Sequence, residues 1–101
     1  MIVFKLTMPG IGSWNHKWSG SDRSYIRTRD ERTVPKELVG KDYSYRWDDG
    51  WVANVSVEKM DYRSAKKLLR KSAGFCGYDW MISSIIKYGY ITDKDVNAQG
   101  A

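Results

Sequence analysis

The stretch that decides the fold is YSYRWDDGWVANVSVEKM, residues 43–60. Aromatic residues at 43, 45 and 47 alternate with polar ones, and apolar residues at 51, 53, 55 and 57 alternate in the same way. This period of two is typical of β-strands with one buried face. A two-residue Asp-Gly turn would put the two sets on opposite faces, whereas a three-residue loop over 48–50 pairs Trp47 with Trp51 and puts both on one face. We therefore predict a hairpin with a three-residue loop and Gly50 in its left-handed position.

Upstream of this hairpin the sequence predicts two further strands and a short helical turn. In IVFKLTM, residues 2–8, the apolar side chains at 2, 4 and 6 face one way and residues 3, 5 and 7 the other. In SYIRTR, residues 24–29, β-forming residues alternate with arginines, which indicates a half-exposed strand. DERTVPKELVG, residues 30–40, carries Pro35 and Gly40 where a short helical turn would begin and end.

Two amphipathic helices are predicted after the hairpin. The first, in DYRSAKKLLRKSAG, has Asp61 as N-cap and Gly74 as C-terminal stop. At about 100° per residue, its apolar residues share one arc and the opposite arc is cationic. The cations are Arg63, Lys66, Lys67, Arg70 and Lys71.

The second helix is predicted from Tyr78 to Tyr88, where Gly89 ends it. Trp80 falls on its polar arc, so this ring either packs against another segment, with the Trp14–Trp18 segment as the obvious one, or is exposed for a partner. The apolar stripe consists of Tyr78, Met81, Ile82, Ile85 and Ile86.

The order of these elements indicates the α+β class, because the strands come first and the helices last. We predict a single domain over residues 1–101, with an antiparallel sheet of three to four strands and two C-terminal helices packed on one face. The polar tail, residues 92–101, is expected to fray.

The composition indicates a small folded protein that favours acidic partners. The chain has 101 residues, of which 42% are hydrophobic and 14% aromatic, enough for a globular core. Its formal net charge of +5 favours nucleic acid or another anionic surface. No apolar run approaches the roughly 18 residues of a membrane span, and the first residues lack a signal-peptide pattern. We expect no membrane association and a cytoplasmic location.

The sequence predicts neither an enzyme nor a cofactor. His16 and Cys76 are the only histidine and the only cysteine, and nothing near either supports a base–nucleophile pair. They are too few for a structural zinc site, and no calcium-type carboxylate loop is present in the sequence. The glycines of GIGSWNHKWSG lack the spacing of a phosphate-binding loop or a dinucleotide fingerprint. We therefore assign no catalytic residue, no metal ligand and no cofactor.

Two segments are candidate binding surfaces, and each has a structural alternative. The SWNHKW segment, residues 13–18, either folds back over the sheet or stacks on bases and enters a partner's pocket. The basic arc of the first helix is either solvated or neutralises phosphates, and the near absence of acids, with Asp61 only at its start, keeps the second alternative open. We expect the two segments and Trp80 to form the partner surface. The candidate residues of the SWNHKW segment are Trp14, His16, Lys17 and Trp18.

Three motifs carry a family resemblance: SWNHKWSG, DDGWVANVSVE and GFCGYDWMISSII. Together they resemble small proteins of bacteriophages and mobile elements, over most of the chain from the first strand to the second helix. The resemblance implies an accessory factor that binds and blocks host machinery in a bacterial cell, as anti-CRISPR proteins do. Inhibitors that imitate DNA are acidic, so a basic chain would instead contact guide RNA, target DNA or an acidic face of the effector.

Our first functional hypothesis is a non-catalytic inhibitor of a host defence complex, similar to anti-CRISPR proteins. Its partner would be a host protein or ribonucleoprotein complex. The second hypothesis is a small nucleic-acid-binding regulatory module, with RNA or DNA as its partner, and a second copy of the chain is a further candidate partner. A small enzyme acting on nucleotides is the third hypothesis, and it would depend on His16 and Cys76.

Overall fold

A computed structural model of the chain describes residues 1–8, 24–48, 50, 52–71 and 77–94. Within these residues four strands precede two α-helices, and two short 3₁₀ turns lie between the second and third strands. The elements are β1 (Ile2–Thr7), β2 (Ser24–Arg29), 3₁₀ turns Glu31–Thr33 and Lys36–Leu38, β3 (Asp42–Arg46), β4 (Val52–Lys59), α1 (Tyr62–Lys71) and α2 (Asp79–Tyr88).

The four strands form one antiparallel sheet in the order β2-β1-β4-β3. The pairing of β3 with β4 sets Tyr45 opposite Ala53 and Arg46 opposite Val52, which is the register that the prediction requires. The N–H of Gly50 donates to the carbonyl of Trp47 at 2.9 Å, and Gly50 has φ of 94°. The predicted strand register and the left-handed glycine are therefore confirmed, whereas Asp49 of the predicted loop and Trp51 lie outside the described residues.

One face of the sheet carries most of the core, and α2 covers it. Phe4 of β1, Val55 of β4 and Ile82 of α2 are each 0% exposed and belong to one apolar cluster. The 3₁₀ turns add Val34 and Leu38 to this cluster. We call this side of the sheet the α2 face. Its buried residues are Ile2, Phe4, Leu6, Met8, Val34, Leu38, Ala53, Val55, Val57, Met81, Ile82, Ile85 and Ile91.

The opposite face, which we call the α1 face, carries a second and smaller cluster. Val3, Ile26 and Ala65 are buried together, and Leu68 of α1 packs against them. Val3 and Phe4 are neighbours in β1, so their side chains point to opposite sides of the sheet. The α+β class and the four-stranded antiparallel sheet are thus confirmed, but the prediction that both helices share one face is wrong. β1 is buried on both sides at its Ile2 end, where Val3 packs under α1 and Ile2 and Phe4 pack on the α2 face.

The region after α2 is tied back to the fold by a buried hydroxyl. Ser84 Oγ donates to the carbonyl of Tyr90 at 2.9 Å and accepts from the N–H of Thr92 at 2.7 Å. Tyr45 adds a hydrogen bond from its hydroxyl to the carboxylate of Asp93 at 3.2 Å. Of the tail that was expected to fray, residues 92–94 are therefore anchored, and 95–101 lie outside the described residues.

The other predicted boundaries are close to the observed ones. Gly89, with φ of 81°, ends α2, and its N–H donates to the carbonyl of Ile85 at 2.8 Å. Pro35 precedes the second 3₁₀ turn, where one helical turn was predicted. Neither α1 nor α2 is long and apolar enough to cross a membrane, and the described residues contain no other helix that is.

Candidate nucleic-acid interface

The start of α1 is fixed by its N-terminal cap. Ser64 donates from its N–H to the Asp61 carboxylate at 3.3 Å and from its hydroxyl at 2.6 Å. These hydrogen bonds lower the pKa of Asp61 below its ordinary value. Ala65 and Leu68 then anchor the helix on the α1 face, which leaves the opposite side of α1 turned to solvent.

That outer side of α1 is a basic surface, which we define as the exposed side chains of Arg63, Lys66, Lys67 and Arg70. In the described part of the chain, the ion pairs join Arg27 to Asp79, Arg32 to Asp30 and Lys59 to Glu31, and none involves α1. Lys71 is the last residue of α1, but its side chain lies outside what the structure describes. Four of the five predicted cations are therefore exposed and free of acidic partners among the described residues.

The five cations of α1 equal the net charge of the whole chain in number. The chain has 17 Lys and Arg and 12 Asp and Glu, a net charge of +5. The sequence of α1, YRSAKKLLRK, contains five of the cations and no acid. The remaining 12 cations (17 − 5) equal the 12 acids in number, so everything outside α1 sums to zero. The net positive field therefore originates from one ten-residue helix.

Beside α1, part of the α1 face is uncovered and polar. A hollow of about 450 Å³ lies over β1, β4 and β3. Its lining residues are Lys5, Thr7, Asp42, Tyr43, Ser44, Asn54, Val55 and Ser56. We call the six of these other than Tyr43 and Val55, whose side chains belong to the core of the α2 face, the polar floor. Arg46 extends the floor at the end of β3, since it alternates with Tyr45, which packs in the core of the α2 face. Lys5 and Arg46 are both exposed.

The direction of α1 brings its cations toward this floor. α1 begins next to Met1 and Met60, so it runs from the Ile2 end of the sheet toward the Thr7 end. Tyr62 lines a separate hollow with Thr28 of β2, so this flank of α1 faces the β2 edge. Lys67 lies about 140° around the helix from Tyr62, at 100° per residue. It therefore points to the other flank, on the side of β4 and β3.

Trp80 does not join this surface. It is half-buried, belongs to the core of the α2 face, and meets the ring of Tyr45 edge-on at 5.2 Å between centroids. The sheet therefore separates Trp80 from α1. Of the two alternatives predicted for Trp80, packing within the fold is the one observed. Its ring packs against Tyr45, and the Trp14–Trp18 segment lies outside the described residues.

The aromatic loop of the predicted surface cannot be located relative to α1. Trp14, His16, Lys17 and Trp18 lie outside the described residues, as does Cys76. Whether this segment covers the sheet or binds a partner stays a prediction. Within the described ranges, no three His, Cys, Asp or Glu residues are grouped so that they could hold a metal ion.

Sequence reasoning missed Lys5 and Arg46 as candidate contacts. The signal was available, because both alternate with core residues along their strands and therefore lie on the face opposite the main core. What the sequence did not show is that α1 lies on this same face.

Comparison of the chain with protein-family models, with curated proteins and with solved structures yields no match. The resemblance to phage and mobile-element proteins therefore stays a prediction.

Proposed function

We propose that this chain is a non-catalytic nucleic-acid-binding protein that acts through the basic surface of α1. The single observation that carries the proposal is that the entire net charge of +5 lies on α1, whose exposed side has no acid among the described residues. A phosphate backbone presents closely spaced negative charges, and each neutralised phosphate releases a counterion. A row of unpaired cations on one helix suits that chemistry.

The composition of the basic surface favours nucleic acid over an acidic protein. Protein interfaces depend on a desolvated centre of aromatic or aliphatic anchors. On α1 the exposed apolar side chains are Tyr62 and Leu69, which lie on the flank and not among the cations. The ammonium of Lys66 lies over the Tyr62 ring at 5.6 Å from its centroid, so the exposed ring and this cation meet at the edge of the basic surface.

Inhibition of a host defence complex, which the resemblance implies, is compatible with this proposal. Such an inhibitor would apply the same basic surface to the RNA or DNA of the complex. The nucleic-acid interaction is therefore the property to test first.

The test is the binding of fluorescently labelled RNA and DNA, single- and double-stranded, at low and at physiological salt. The variant Lys66→Glu/Lys67→Glu reverses two charges of the basic surface, and Lys36→Glu/Lys41→Glu reverses two exposed cations elsewhere with the same change in net charge. We expect the α1 variant to weaken binding by about tenfold or more, and to lower the slope of log K against log salt by about 1.8. The control should retain most of the affinity.

Two results would overturn the proposal. One is the absence of salt-sensitive binding to any of the four nucleic acids. The other is an equal loss in the α1 variant and in the control, because binding would then follow net charge and not the basic surface. The folded state of each variant is checked by its urea midpoint.

A further inference from the structure

We infer that the ligand is double-stranded DNA, held with α1 in the major groove and with Lys5 and Arg46 of the polar floor on flanking phosphates. The inference rests on the proposed function and adds the class of nucleic acid and two contacts outside α1. Its basis is the juxtaposition of a cationic helix with a polar, uncovered part of the same sheet face.

The position of the aromatic rings argues against a single strand as the ligand. Proteins that bind single strands stack bases on exposed aromatic side chains. In the described residues, the rings of the sheet lie on the α2 face and pack on one another; for example, Trp47 lies 5.1 Å from Tyr45 and 6.4 Å from Tyr78. Among the residues described, the polar floor contributes no ring that is open for stacking, and the exposed ring beside the basic surface, that of Tyr62, lies on the flank of α1 that faces β2.

The protrusion of α1 from its face of the sheet is complementary in shape to B-form DNA. An α-helix with its side chains is about 10–12 Å across, and the major groove of B-DNA is about 12 Å wide. Among the described residues, the side chains of α1 that belong to the apolar cluster of this face are Ala65 and Leu68, and those of residues 62–64, 66, 67, 69 and 70 are exposed. The major groove of A-form RNA is too narrow for side chains to read. A protruding cationic helix is therefore complementary to the DNA duplex and not to duplex RNA.

The polar floor supplies a second set of contacts at a lower level. Lys5 lies at the centre of β1 and Arg46 at the end of β3, and neither takes part in an ion pair among the described residues. Thr7, Ser44 and Asn54 lie between them and carry neutral hydrogen-bonding groups that suit phosphate and sugar oxygens. When α1 lies in the major groove of a DNA duplex, the phosphates on the side of that groove can reach the polar floor.

Acidic residues limit where the DNA backbone can lie. Asp42 lines the floor in register with Ser56, and Glu58 lies on the same face opposite Val3. Both are nearer the Ile2 end of the sheet than Thr7 and Arg46 are. The phosphates are therefore expected at the Thr7 end, and Asp42→Asn should strengthen binding by removing a repulsive charge.

The experiment compares one duplex with its own single strands. The longest dimension of the molecule is 40 Å. This corresponds to about 12 base pairs at roughly 3.4 Å each, so a DNA duplex of about 16 base pairs covers the site. Its two single strands and the RNA duplex of the same sequence are the competing ligands. We expect the DNA duplex to bind about tenfold tighter than any of them at physiological salt.

The contacts of the floor are tested with Lys5→Gln/Arg46→Gln, and Lys36→Gln/Lys41→Gln is the matched control. The floor variant should weaken binding to the DNA duplex and lower the slope of log K against log salt by about 1.8, that is 0.9 for each lost phosphate contact. The control should leave the slope within about 0.5 of the unaltered protein.

The outcomes separate this inference from the proposed function. Absence of binding to every nucleic acid defeats both. Equal or tighter binding of a single strand or of duplex RNA defeats the inference and leaves the proposed function standing. If the α1 variant loses binding but the floor variant behaves like the control, the inference is likewise defeated and the proposed function stands.

Discussion

The two faces of the sheet differ in what they contribute to the molecule. Among the described residues, the α2 face buries thirteen in one cluster, whereas the α1 face buries three. Neighbours in β1 serve the two sides, with Phe4 at 0% and Val3 at 1% exposure. The comparison teaches that a chain of 101 residues can assemble most of its core on one side of a sheet and keep the other side for charge.

Polar contacts reinforce the same asymmetry. On the α2 face, Arg27 of β2 pairs with Asp79 at the start of α2 at 3.1 Å. The hydroxyl of Tyr45 donates to Asp93 on this side as well. Burial and the nearby Asp93 carboxylate raise the pKa of Tyr45, so it stays a neutral donor at physiological pH. The basic surface of α1 has no comparable partner among the described residues.

The largest expected effect is on the core of the α2 face. Phe4→Ala removes a fully buried ring at the centre of the sheet and should lower the free energy of unfolding by about 3–5 kcal/mol. Leu68→Ala, on the α1 face, is half-buried and should cost about 1–2 kcal/mol. Urea unfolding followed by circular dichroism measures both. Equal losses would mean that the two faces contribute alike to stability.

The next effect concerns the hydroxyl that anchors the segment after α2. Ser84→Ala leaves the carbonyl of Tyr90 and the N–H of Thr92 without that partner and should cost about 1–3 kcal/mol. Ser83→Ala, one residue earlier in α2, is half-exposed and should change stability by less than about 0.5 kcal/mol. Urea midpoints of the two variants decide the point; a neutral Ser84→Ala would show that the segment needs no such anchor.

A smaller effect of opposite sign is expected on α1. Lys67 lies four residues from both Arg63 and Lys71, so Lys67→Glu replaces two like-charge spacings by two favourable ones. It should raise the free energy of unfolding by about 0.8–2 kcal/mol, since each pair changes from about 0.2–0.5 unfavourable to about 0.2–0.5 favourable, while it should weaken the proposed DNA binding. Urea unfolding measures the gain in stability, and fluorescence anisotropy with a labelled DNA duplex measures the loss of affinity. If Lys67→Glu lowers the free energy of unfolding, repulsion between Lys67 and the cations at 63 and 71 does not destabilise the fold.

The smallest effect is a pH dependence in the turn after β2. Hydrogen bonds from Arg32 lower the pKa of Asp30 from 3.8 to about 2. Because the folded pKa lies below the unfolded one, the ionised carboxylate stabilises the fold above pH 4, and this contribution is lost as pH falls toward 2. Asp30→Asn should therefore differ most from the unaltered protein at neutral pH and least near pH 2. Urea midpoints between pH 2 and pH 7 measure this difference in stability, and Asp42→Asn is the control for the loss of a carboxylate. If Asp30→Asn and the unaltered protein still differ near pH 2, the ionised Asp30 carboxylate is not the source of the difference.

The strands and their register were predictable because their signals are local. Alternation in β3 and β4 and the glycine at position 50 define the hairpin without reference to the rest of the chain. Asp61 and Gly89 mark helix ends through hydrogen bonds within a few residues. Boundaries set by such short-range chemistry can be found from sequence alone.

The placement of the helices depends on long-range packing, which explains the error there. The apolar side chains of α1 fit either side of the sheet as far as periodicity shows. The deciding residues are Val3 and Ile26, which add an apolar patch to the face that otherwise carries Lys5 and Thr7. A run of three apolar residues, Ile2-Val3-Phe4, is the signal that β1 is buried on both sides.

The candidate site was predictable in part for the same reason. The cations of α1 follow from helical periodicity, and four are exposed as expected. Trp80 was grouped with them because it shares a polar arc, but its position against Tyr45 is a tertiary fact. Lys5 and Arg46 join α1 only once its face of the sheet is known.

The narrow anchoring of α1 has an evolutionary consequence. Since Ala65 and Leu68 hold the helix, its outward positions are free of packing constraints. Under the proposed function, substitutions at those positions are expected to alter which partner is recognised and to leave the core of the α2 face untouched. Binding specificity and the stability of the fold would then be able to evolve separately.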